Sequence, residues 1–120
     1  MSITAIGKEL RKLRIDRDER LLDMAKRLRK SSAFISAVET GKKSPPSGFE
    51  ELVIKAYRLA HNSAGSLRIA ADRSRKAFTL EASTSLQRDT AGLMARRING
   101  LSDNELQKIL KILRQKENTQ

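Results

Sequence analysis

The chain has 120 residues, 25 Lys and Arg against 14 Asp and Glu for a net charge of +11, and no cysteine. That length suits one compact unit or two small ones and leaves no room for an added catalytic domain, so no enzymatic activity is expected. With no thiol, a single histidine (His61), no long apolar run and no signal-type segment, the sequence argues against disulfide frameworks, metal sites and bound cofactors. It argues equally against membrane spanning, and points to the cytoplasm.

Phe34, Phe49, Tyr57 and Phe78 are the only aromatics, so the core must come from Leu, Ile, Val, Ala and Met, and scarce strand formers predict an all-α fold. Ile3, Ile6, Leu10 and Leu13 recur at helical spacing and predict a first amphipathic helix ending near Asp16, followed by a charged connector over 17–20. Leu21, Met24, Ala25 and Leu28 predict a short second helix that stops at Arg29-Lys30. Ser31 then offers its hydroxyl as the N-cap of a third helix, with Ile35 and Val38 facing inward and Gly41 supplying the left-handed residue after Thr40. Residues 42–46 must be loop, because Pro45-Pro46 excludes helix. Ser47-Gly48-Phe49-Glu50 reads as a capping box opening a fourth helix, with Phe49, Leu52, Val53, Ala56, Tyr57 and Leu59 on its buried side.

Leu67, Ala70 and Ala71 place a fifth helix from about Ser63 to Lys76, with His61 a solvated loop residue before it. Phe78-Thr79-Leu80 alternates like one short strand, which either pairs with a second copy of the chain or serves as an extended connector. Leu86, Leu93, Met94 and Ile98 mark a sixth helix closed by Asn99-Gly100. Ser102-Asp103-Asn104-Glu105 is a second capping box, opening a final helix striped by Leu106, Ile109, Leu110 and Leu113. Ile112 lies off that stripe, either widening the core face or meeting a second subunit, and residues 118–120 are expected to fray.

Met24-Ala25 on the second helix, Ser31 as cap, Ile35 and Val38 inside the third, Glu39-Thr40-Gly41-Lys42 at its exit and the Pro45-Pro46 loop carry a family pattern. Together they resemble the Cro/C1-type (XRE) helix-turn-helix family, the fold of lambdoid phage repressors, over roughly residues 3–59. The resemblance implies a lambda-repressor-like DNA-binding domain over 1–60, with 61–120 left as a helical C-terminal oligomerisation region. It implies that the third helix enters the major groove, with base contact by Ser32, Ala33, Phe34, Ser36 and Ala37. Arg20, Arg29, Lys30, Ser31, Thr40, Lys42 and Lys43 would then contact the DNA backbone. It further implies that Arg14 and Glu39 meet as a partly buried ion pair tying the first helix to the third.

Two positions are open. Phe34 either offers apolar contact to DNA or folds back on the second or fourth helix. Arg29 stands where the family's turn usually carries glycine, and a left-handed conformation there would cost about 1 kcal/mol or more. Either the turn is shaped differently, or a charge beside phosphate accounts for the strain.

The positive charge attracts polyanions through its field and through counterion release, which makes nucleic acid the first partner to test. Basic residues spread over both halves and mixed with acids do not make a membrane-surface helix. The expected function is that of a sequence-specific regulator of transcription binding double-stranded DNA. It would act as a repressor on a palindromic operator, its own promoter included, as a homodimer or higher homo-oligomer at the nucleoid. The alternative is an antitoxin or other interaction module whose tail binds a toxin or phage protein, with DNA binding secondary. Nonspecific coating of nucleic acid would require exposed stacking aromatics, which are nearly absent here.

Overall fold

In a computed structural model, which describes residues 2–118, the chain is all-helical, with seven α-helices and no strand among the described residues. No helix among them is long and apolar enough to cross a membrane. Helix α1 (Ala5–Arg17) starts at an N-cap the periodicity did not reveal: Thr4 Oγ1 accepts from the Gly7 amide at 3.0 Å. Ile3 therefore precedes the helix rather than opening it. Helix α2 (Leu21–Leu28) begins where the Asp23 carboxylate accepts from the Arg20 amide at 2.8 Å. Helix α3 (Ser32–Glu39) begins at Ser31, whose hydroxyl accepts from the Phe34 amide at 3.0 Å, and Gly41 follows it with φ +80°.

Helix α4 (Phe49–Tyr57) corrects one expectation. Its N-cap is Gly48, at φ +83°, and not Ser47, so the capping box with Glu50 does not form. The helix starts one residue late because the Pro46 carbonyl closes the preceding turn onto the Phe49 amide, and because the Glu50 carboxylate is drawn to Arg75. Its buried face is Phe49, Val53 and Tyr57, spaced four apart, which leaves Leu52 exposed instead of buried. Helix α5 (His61–Arg73) starts about a turn's half earlier than expected and takes in His61, exposed at its first position.

All five helices feed one core, with Ile6 and Leu10, Met24, Ala25 and Leu28, Ile35 and Val38, Phe49, Val53 and Tyr57, and Leu67, Ala70 and Ala71 in mutual contact. Helix α5 packs on both α1 and α4. The compact unit consequently ends at Thr79, well past the expected boundary at residue 60. A chain stopped at 60 would leave bare the apolar surface that Leu67 and Ala71 cover.

The second unit begins at Leu80. Phe78 and Leu80 are exposed, and residues 78–80 form no strand but part of the connector leading to α6 (Ser85–Arg97). A capping box of Thr84 and Gln87 opens α6, with the Thr84 hydroxyl accepting from the Gln87 amide at 3.0 Å. A 3-10 turn over Ile98–Gly100 leads to α7 (Asp103–Asn118), opened by the expected box in which Glu105 accepts from the Ser102 amide at 2.9 Å. Asn118 falls inside the bounds of α7, and residues 119 and 120, also expected to fray, lie outside the described residues. No side chain described in this unit is buried. Leu86, Leu93, Ile98, Leu110, Ile112 and Leu113 all stand exposed, so Ile112 joins no core face.

Candidate nucleic-acid interface

The geometry begins at the turn between α2 and α3. The last turn of α2 is closed by the amides of Arg29, bonding to Lys26 O at 3.2 Å, and Lys30, bonding to Ala25 O at 2.9 Å. This pattern requires a left-handed residue at its pivot. Arg29 takes that conformation, at φ 56° and ψ 44°. The turn thus has the shape a glycine would favour, built with an arginine. Arg29→Gly should relieve the steric cost and raise stability by about 1 kcal/mol, while removing one cation from the face beside α3. Thermal melting reads the first effect and a DNA titration the second. A variant that melts lower than the parent contradicts the strain.

Successive residues of a helix turn by roughly 100°, which puts Ser32, Ser36, Thr40, Ala33 and Ala37 on one arc of α3 and Phe34, Ile35, Val38 and Glu39 on the other. Burial follows that division: Ala33 and Ser36 are exposed and Ser32, Ala37 and Thr40 half-buried, whereas Ile35, Val38 and Glu39 are buried. The Thr40 hydroxyl is engaged, donating to Ser36 O at 2.9 Å.

Phe34 leaves the outer set. Its ring packs edge-on against Phe49 of α4, with centroids 5.8 Å apart, so of its two readings the structure places it inward. There it carries two cations. Lys30 Nζ lies 5.5 Å and Lys43 Nζ 5.3 Å from the ring centre, bringing together one lysine from before α3 and one from after it.

The inner face of α3 is locked by charge. Glu39, 3% exposed, is held bidentately by Arg14, with Arg14 Nη2 at 3.2 Å from Oε1 and Nη1 on Oε2. Arg11 Nε adds a third contact at 3.4 Å. The end of α3 is also stitched to the start of α1: the Thr4 amide donates to Glu39 O at 3.0 Å, and its hydroxyl meets the same carbonyl at 3.1 Å. Close approach is possible because Gly7 has no side chain; a Cβ there would lie 2.4 Å from Glu39 O. In the same unit, the Tyr57 hydroxyl donates to Glu19 at 2.7 Å, and Arg27 pairs with Glu19 while lying 4.6 Å over the Tyr57 ring. Burial and the Glu19 hydrogen bond push the Tyr57 hydroxyl's pKa well above the usual phenolic range.

The cations expected to touch the DNA backbone are differently placed. Arg20, Arg29, Lys30, Lys42 and Lys43 are exposed, and among the described residues none of them is in an ion pair. The Lys43 amide donates to Ala37 O at 3.1 Å, which ties the start of the loop to α3. Ser31, as the N-cap, has its hydroxyl engaged with α3 itself.

Sequence reasoning missed Thr4, Gly7, Arg11 and Arg75. Gly7 could have been flagged as an isolated glycine in a strong helical pattern; Arg75 gives no local signal. The chain matches no family model, no characterised protein and no solved structure in comparisons with known proteins.

Proposed function

We propose that the chain is a double-stranded DNA-binding transcription regulator of the Cro/C1 helix-turn-helix type, with α3 as the helix that enters the major groove. One observation carries this reading: a helix locked on its inner side by Glu39 presents an outer arc of small side chains, preceded by Arg29 and Lys30 and followed by Lys42 and Lys43, exposed cations that make no ion pair among the described residues. Small residues let the helix approach base edges, and cations on either side can meet the phosphates that run along the groove. Ser32, Ala33, Ser36 and Ala37 offer no bidentate bond of the kind worth about 1–3 kcal/mol of discrimination. Base reading is accordingly shallow, and DNA shape supplies much of the selectivity.

The second unit supplies pairing. Two heads on one operator need their centres about 34 Å apart, and α6 and α7 carry exposed aliphatic residues with no core of their own. A pair of helices this short cannot bury enough surface alone. The groove lined by Leu93, Met94, Leu101 and Ile109 has Arg97 at its edge, and Arg97 acts electrostatically on Glu105, so charges of both signs stand by an apolar surface, which suits a second copy of the same surface. Repression would follow from occlusion of a promoter, the protein's own included.

Footprinting on the chain's own upstream DNA over a salt series tests both halves. The expected result is a protected palindrome and, if roughly six phosphates are neutralised per dimer, a slope of log K against log salt near −5. Salt-insensitive binding, or several strongly fixed G·C positions beneath α3, would sink the proposal as stated. A pure chain that sediments as a monomer, with a tail folding only when a second protein is added, would favour the antitoxin reading.

A further inference from the structure

The loop bearing Lys42 and Lys43 has two anchors. One is the Lys43 amide on Ala37 O; the other comes from the far end of α5, more than twenty-five residues on in the chain. Arg75, directly after the Ser74 cap of α5, has a side chain only 10% exposed. Its guanidinium donates to Pro45 O at 2.9 Å and Pro46 O at 2.6 Å. The same group forks onto Glu50, Nη2 to Oε1 at 2.6 Å and Nη1 to Oε2 at 2.9 Å. Asp72 stands 3.7 Å away as a further partner. Pro45 and Pro46 have no amide to donate, so they can be held only through their carbonyls, Pro46 O by the Phe49 amide and both carbonyls by Arg75. A guanidinium is suited to the task because its fixed fork can serve a carboxylate and neighbouring carbonyls at once. The Arg75 hydrogen bonds hold the Glu50 carboxyl below its ordinary value of 4.5, so the pair stays charged.

We infer that Arg75 is a positioning residue for the DNA-facing loop: by clamping the Pro45 and Pro46 carbonyls to Glu50 it sets where Lys42 and Lys43 stand beside α3. This rests on the DNA-binding reading, and it makes the end of α5 part of the binding apparatus without touching DNA. It also explains why Glu50 is absent from the α4 cap.

Arg75→Ala in the full chain tests it, with two readouts. Amide hydrogen exchange at Lys42, Lys43 and Ser44 should quicken while exchange in α1 and α5 does not. The salt slope of DNA binding should become shallower by about one for each lysine whose phosphate contact is lost, equally for all DNA sequences. Glu51→Gln, which breaks the neighbouring α4–α5 pair with Arg68, should move neither. If Arg75→Ala melts below the assay temperature, Arg75→Lys gives the same readouts, since an ammonium cannot hold the carboxylate and both carbonyls together. Unchanged exchange in the folded variant, or faster exchange with the parental slope, overturns the inference. A parent chain that binds no DNA at low salt overturns the DNA reading instead, while exchange still reports whether Arg75 fixes the loop.

Discussion

Gly7→Ala is expected to lose about 2 kcal/mol or more of stability, a fall in melting temperature of roughly 10 °C for a unit of this size. The added methyl would sit 2.4 Å from Glu39 O, 2.7 Å from Ile3 Cγ2 and 3.0 Å from Glu39 Cα. Two of those atoms are backbone and cannot swing aside, so α1 and the end of α3 must separate. Overpacking costs about 1–3 kcal/mol where side chains can adjust and more where they cannot. Alanine's advantage over glycine in a helix, at most about 1 kcal/mol, offsets only part of this. Gly65 provides the internal comparison. It lies within α5 with nothing inside 4 Å of its Cβ position, so Gly65→Ala should stabilise by a little under about 1 kcal/mol. The same substitution then has opposite signs at two helical glycines, and thermal melting of both variants decides it. Equal shifts would mean that propensity, and not the α1–α3 contact, governs Gly7.

Glu39→Ala should cost about 3–5 kcal/mol, because it leaves the Arg14 guanidinium, 12% exposed, without its counter-charge. Set against a total stability of about 5–15 kcal/mol, that loss is a large share of the whole. Arg11, whose side chain is 47% exposed, recovers solvation easily and contributes the smaller share. The effect falls on stability first: protein that remains folded keeps its outer arc of α3 and its flanking cations. Urea denaturation should therefore show a lower midpoint, while DNA affinity corrected for the folded fraction changes little. An unchanged midpoint would remove the pair from the account of how α3 is held. Replacing Arg14 and Glu39 together by apolar residues should recover much of the loss, as removing both charges also removes their desolvation.

Much of the helical layout is written locally. The caps at Ser31 and at Ser102 with Glu105 involve residues three apart, and they form as their residue types predict. The failures share a different cause. The Ser47 and Glu50 box is locally sound, yet Glu50 is claimed by an arginine twenty-five residues away. Asp18, Arg29 and Arg58 each close a helix at positive φ without the glycine that would have announced it. Thr4 caps α1 while also bonding carbonyls at the end of α3, a coincidence no pattern over one helix can reveal.

For the candidate interface the division is similar. Which residues share the outer arc of α3 follows from helical geometry and is readable from the sequence, as is the run of cations on either side. That Phe34 turns inward depends on Phe49 arriving from α4, and that the first unit ends at Thr79 depends on α5 packing across α1 and α4. By itself, then, the sequence determined the helices, their apolar faces and the charge around the third, because these depend on spacing over one or two turns. Only the tertiary structure decided the αL turn at Arg29, the side to which Phe34 faces and the clamp at Arg75. The turn at Arg29 is closed by local bonds but lacks the glycine that would mark it, whereas Phe34 and Arg75 are settled by competition among partners far apart in the chain, and the partner that wins is the one the packing brings within reach.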